Sequence, residues 1–123
     1  MKITIYGKEY GFMLTAGAAV EIAALCPDGD LDKLSEALNG KDTKETVEKQ
    51  YRFAKILNDG YVEFERMMGR DASQLDEKTM FQTPFGVYQK IKEAAFDALT
   101  RGLQGEIDAE PVDGKKQETE AEA

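Results

Sequence analysis

Histidine is absent from this chain, and cysteine occurs once, at Cys26. Lacking histidine, the protein has no imidazole general base, no Ser-His or Cys-His nucleophile pair and no histidine-ligated metal site. One cysteine excludes an internal disulfide, and an intracellular setting is the corresponding expectation. Long apolar runs are missing too: the most apolar stretch, Ala16 to Cys26, is short and carries Glu21, well below the roughly 18–20 residues of a membrane-spanning helix. The start lacks the basic, apolar and small-residue pattern of a secretory signal. Bases are in deficit, 16 Lys and Arg against 24 Asp and Glu, for a formal charge of -8. That sign disfavours nucleic acid, whose phosphates demand a basic patch, and anionic membrane surfaces. No Gly-rich phosphate loop of either common pattern occurs. We expect a cytoplasmic protein without cofactor, nucleic-acid or membrane partners.

What is present is an amphipathic architecture. At 123 residues with 41% hydrophobic content, the chain is long enough for one small core. Its organising stretch runs from Lys44 to Met68. Apolar side chains recur there at Val47, Tyr51, Ala54, Leu57, Tyr61, Phe64 and Met68, in helical steps of three and four. The other face carries Glu45, Glu48, Lys49, Arg52, Lys55, Asp59, Glu63 and Arg66. Glu45 with Lys49 and Glu48 with Arg52 are set for i,i+4 pairing at about 0.3 kcal/mol each. Asp42 or Thr43 is the expected N-cap and Gly69 the C′ residue. Asp59-Gly60 interrupts the run and marks a possible bend, since Gly in a helix interior costs about 1 kcal/mol relative to Ala.

Before that helix, Lys2 to Leu14 predicts a β-hairpin with Gly7-Lys8 as a type II′ turn. This register sets Ile5 opposite Tyr10 and Ile3 opposite Phe12, with Ile3, Ile5, Tyr10, Phe12 and Leu14 on one face. Thr15 caps a predicted helix from Ala16 to about Leu25 that buries alanines, Val20, Ile22 and Leu25. Pro27 ends it. Asp30 caps a short helix over Leu31 to Leu38 with Leu31, Leu34, Ala37 and Leu38 inward, and Asn39-Gly40 stops it. Beyond the long helix, Arg70 to Gln82 reads as a connection with one helical turn started by Ser73 or Asp76. Thr83 as N-cap and Pro84 at N1 open a last helix that reaches about Leu103, with Tyr88, Ile91, Ala95, Phe96 and Leu99 apolar. Residues 105–123 lose aromatics and gather acids, so we expect a disordered acidic tail after a single domain over 1–104. The fold class is α+β, mainly α: an N-terminal hairpin packed on about four helices. No internal repeat is evident.

Three candidate sites stand out. Asp28-Gly29-Asp30-Leu31-Asp32 alternates acids like a calcium loop. Counted from Asp28, however, the sixth and twelfth positions hold Lys33 and Asn39 instead of Gly and an acid, so we read turns and caps instead of a metal site. Cys26 reads as a small buried hydrophobe. Met67, Met68, Met80, Phe81 and Phe85 gather around the connection between the two long helices. They either close the core at that junction or form an adaptable groove for a partner segment, and we carry them forward as candidate partner-binding residues. No catalytic, metal-binding or cofactor-binding residue is assigned.

The opening Met1-Lys2-Ile3-Thr4-Ile5-Tyr6-Gly7-Lys8-Glu9-Tyr10, followed by Phe12 and a short helix, resembles the tail assembly chaperones of long-tailed bacteriophages and prophages. The likeness is close over the hairpin and extends from Ala16 to Leu103 only in helix order and size. It implies a non-catalytic protein that keeps the tape-measure protein soluble and helps the tail-tube protein assemble around it in the cytoplasm of a bacterial host. It also implies, in many cases, a longer form made by translational frameshifting near the C-terminus. Homo-oligomerisation is a further expectation, since a hairpin exposes strand edges. Two rival readings stand beside it: a bacterial protein-binding adaptor or regulator unrelated to phage, and a small enzyme working with paired carboxylates.

Overall fold

A computed structural model describes residues 2–105. The order is β1 (Lys2–Ile5), β2 (Lys8–Gly11), α1 (Ala16–Leu25), two 3-10 turns (Pro27–Gly29 and Leu31–Lys33), α2 (Leu34–Leu38), α3 (Thr43–Met67), α4 (Glu77–Gln82) and α5 (Phe85–Leu103). This is the expected α+β, mainly helical arrangement, with α3 at its centre against α1, α2, α5 and β2. The tail expected from residue 105 lies outside the described residues except for Gly105.

The hairpin forms, but with a different turn. Tyr6 and Gly7 both have positive φ, 49° and 81°, the signature of a type I′ turn whose twist matches that of the strands. Ile3 therefore faces Tyr10 and Ile5 faces Lys8, two residues away from the expected register. A two-residue shift preserves the alternation, so Ile3, Ile5 and Tyr10 still share a face. Phe12 leaves the ladder. It and Met13 are buried, and the Met13 N–H donates to the Leu57 carbonyl at 3.0 Å, turning the chain inward across α3.

α3 is capped as expected at both ends. Asp42 accepts the Glu45 N–H at 2.9 Å, while the Glu45 carboxylate accepts the Lys41 N–H at 2.8 Å. At the other end Gly69, with φ 78°, donates to Arg66 and Arg70 donates to Glu65, the paired bonds of a Schellman motif. The helix runs unbroken through Gly60, contrary to the expected bend. A Cβ there would stand 2.9 Å from the Met13 carbonyl, so the glycine serves close approach of the hairpin exit. The buried sector is also wider than one stripe, because neighbours cover α3 on several sides: Phe53, Ile56 and Val62 join Ala54, Leu57 and Tyr61, whereas Met68 is exposed. Phe53 stacks on Phe96 of α5 at 4.9 Å between ring centroids, and such a fully buried side chain contributes about 2–3 kcal/mol. Glu45 meets Lys49 at 3.9 Å as expected, but Glu48 turns to Lys44 at 3.3 Å and not to Arg52.

Two further expectations are corrected. Val20 is exposed, so α1 buries Ala18 and Ile22. Thr83 does not cap α5: its hydroxyl donates to the Met80 carbonyl, and Pro84 occupies the N-cap position. Asp76, one of the two expected starters, caps α4 by accepting the Thr79 N–H at 2.6 Å.

Candidate functional site

The path of residues 70–76 decides where the candidate partner-binding residues fall. The segment retraces α3. Arg70 grips Glu65 with two hydrogen bonds of 2.9 and 2.8 Å, Gln74 donates to Asp59 at 2.9 Å, and the Leu75 N–H donates to Asn58 at 2.7 Å. Each contact lies nearer the start of α3 than the last, and α4 is delivered beside Tyr51, whose ring lies 5.5 Å from that of Phe81. Roughly 24 Å of helix separates Tyr51 from Met67 at 1.5 Å per residue.

The five residues consequently do not form one groove. Met80 is buried at 2% exposure, Met67 is 84% exposed and Met68 half so at the far end of α3, and Phe81 and Phe85 are exposed on α4 and α5. The junction therefore uses Met80 for packing and leaves the other four outside, in two separate places.

Phe81 and Phe85 each lie beside a second aromatic ring, Tyr51 and Tyr88 respectively. Phe85 lies 5.3 Å from Tyr88. The Tyr88 hydroxyl donates to the Gln50 side chain, next to Tyr51 on α3. From the hairpin turn, exposed Tyr6 sends its hydroxyl to the Gln82 carbonyl at 2.8 Å. Burial pushes the Tyr51 phenol up in pKa, and the nearby acids Glu77, Asp76 and Asp59 push it the same way. Tyr6 and Tyr51 escaped the sequence reading for different reasons. Tyr51 looked like ordinary stripe, and Tyr6 looked like strand. The available signal was an aromatic residue directly before Gly7, a position favouring Asn or Gly in a type I′ turn.

A separate cleft of about 340 Å³ lies among α1, α2 and α3, lined by Leu25, Cys26, Pro27, Glu36, Ala37, Lys49 and Arg52. Cys26 is buried, its thiol donates to the Ile22 carbonyl at 3.3 Å, and burial followed by the Asp30 charge raises its pKa. These features hold it as an unreactive thiol. In the neighbouring acidic loop Asp30 caps through the Asp32 N–H, and Asp28 pairs with Lys33 at 2.9 Å. Among the described residues no group of three or more metal-ligating side chains is placed to hold an ion. The one buried carboxylate among them is Glu65. Its pKa is lowered by the Arg70 hydrogen bonds, and it is not among the cleft-lining residues. No helix among the described residues is long and apolar enough to cross a membrane.

The described residues thus define a small, mainly helical α+β protein that leaves the aromatic side chains of Tyr6, Phe81 and Phe85 exposed. Compared with protein-family models, curated proteins and solved structures, the chain matches none.

Proposed function

We propose that this protein is a phage or prophage tail assembly chaperone, binding the tape-measure protein and assisting tail-tube assembly without catalysis. Two things support the reading. One is the resemblance of the opening hairpin to that family. The other, which carries it, is the exposure of Phe81 and Phe85 where α4 passes into α5, large apolar side chains of the kind that protein-binding surfaces carry. A chaperone of this kind covers apolar helical stretches of its partner, and its own net charge of -8 keeps the complex soluble.

Co-expression with candidate tape-measure and tail-tube proteins from the same locus tests this, read by size-exclusion chromatography with light scattering. The expected result is a tape-measure protein that is insoluble alone but stays in solution and co-elutes. Retention of neither protein would remove the phage reading and leave the adaptor unrelated to phage.

A further inference from the structure

We infer that α4 is a strap, latched by Tyr6, that opens as a unit while the rest of the fold stays closed and thereby uncovers Met80. The chain is pinned on either side of it. Before α4, the Leu75 N–H donates to buried Asn58 at 2.7 Å. After it, the Tyr88 hydroxyl donates to Gln50, and Phe96 lies against Phe53. All three partners belong to α3, and none of these contacts involves residues 76–84, so they persist when that stretch moves.

Between the pins little holds α4 down. It has six residues and buries one of them, Met80, whereas α3 buries nine. The Asp76 cap and the Thr83 hydroxyl bond close within the stretch itself and travel with it. Among the described residues one hydrogen bond joins α4 to another part of the fold, from the Tyr6 hydroxyl to the Gln82 carbonyl at 2.8 Å. It faces solvent, since Tyr6 is 69% exposed. Phe81 adds a ring contact to Tyr51 but is itself exposed. Elements with few buried apolar groups and solvent-facing hydrogen bonds open at a lower free energy than the whole fold. Opening lifts Met80 out of the core and parts Phe81 from Tyr51, so the apolar surface at this end of the molecule is gated by the Tyr6 latch. The inference does not depend on what the protein binds.

The methionines supply the test. Met80 is less exposed than Met13, 2% against 5%, so a rigid molecule would protect Met80 at least as well. The strap reverses that order. The full chain is treated with dilute hydrogen peroxide, which passes one oxygen to the thioether and leaves as water, and each sulfoxide is followed by peptide mass spectrometry. Exposed Met67 is expected to react first, Met80 next and Met13 last, with Met80 at least about tenfold faster than Met13. Hydrogen exchange on the same protein should show the α4 amides exchanging at least about tenfold faster than those of residues 53–58 in α3. Tyr6→Phe keeps the ring and removes the latch, and it should speed both Met80 oxidation and α4 exchange about two- to tenfold, the loss of one hydrogen bond. Ile22→Val thins the core under α1, which stays packed whether α4 is open or closed. It should speed exchange at residues 53–58 about two- to tenfold and change Met80 oxidation less than about twofold. Three results overturn the inference: Met80 oxidising no faster than Met13, Tyr6→Phe without effect, or Ile22→Val accelerating Met80 as much as residues 53–58, since α4 would then open only with the whole fold. The first of these is read on the unsubstituted protein and needs no variant to fold.

Discussion

The side-chain oxygen of Asn58 accepts the backbone N–H of Leu75 at 2.7 Å, and both residues are fully buried. The amide nitrogen of the same side chain donates to the Gly11 carbonyl at 2.9 Å and to the Ser73 carbonyl at 3.3 Å. One residue of α3 thus satisfies backbone groups at the end of β2 and in the segment that leads to α4. Replacing it strands buried donors and acceptors, at roughly 1–3 kcal/mol for each group left unpaired. Asn58→Ala is expected to cost about 3 kcal/mol in urea-induced unfolding. A loss below about 1 kcal/mol would mean that water replaces the side chain and that the knot is not structural.

Local signals in the sequence were legible where one short segment decides the outcome. Thr15, Asp42 and Asp76 cap their helices, and Gly69 ends α3, because a cap needs only a few neighbouring backbone groups. Thr83 failed for an equally local reason: its hydroxyl had a second partner, the Met80 carbonyl. Long-range placement was not legible. Met67 and Phe81 are close in sequence, yet the 70–76 segment doubles back along α3 and carries Phe81 to Tyr51. Asn58 was missed as a polar residue on a helix, although its neighbours Ile56, Leu57, Gly60 and Tyr61 all face the core. The hairpin pattern specified faces but not register, since a shift of two residues leaves the alternation intact.

Glycines at two helical positions should respond to alanine with opposite signs. Alanine favours a helix interior by about 1 kcal/mol over glycine. At Gly60 the new methyl would stand 2.9 Å from the Met13 carbonyl and 3.2 Å from the Thr15 hydroxyl. Backbone must then move, so Gly60→Ala is expected to lower stability by about 1–3 kcal/mol, the range for overpacking. At Gly86 nothing lies within 4 Å of the built Cβ, and Gly86→Ala should raise stability by up to about 1 kcal/mol. Thermal unfolding of both variants decides the matter. A stabilised Gly60→Ala would show that the hairpin exit is not held against α3.

Acid should release the link between Glu65 and Arg70. The Arg70 hydrogen bonds hold the Glu65 carboxyl below its ordinary value against the opposing effect of burial. A depressed folded-state pKa means that the unfolded chain takes up the proton first, with a glutamate pKa of about 4.3. Its stabilisation is therefore complete above that value and is lost as pH falls through the lower folded value. Glu65→Gln is expected to cost about 1.5–3 kcal/mol at neutral pH, the range for hydrogen bonds to a charged group. The gap to the unsubstituted protein should shrink below about pH 4. Chemical denaturation across this range tests it, and a pH-independent gap would assign the loss to packing alone.

Tyr6 sets a turn cost against a long-range hydrogen bond. Its φ of 49° costs roughly 1–2 kcal/mol for a residue with a Cβ, and Asn before Gly suits a type I′ turn better. Against that gain stands the exposed hydrogen bond to the Gln82 carbonyl, worth about 0.5–1.5 kcal/mol. Tyr6→Asn is therefore expected to leave the melting temperature unchanged or raise it. A fall in stability above about 1 kcal/mol would instead make Tyr6 a structural pin between the hairpin and the end of α4.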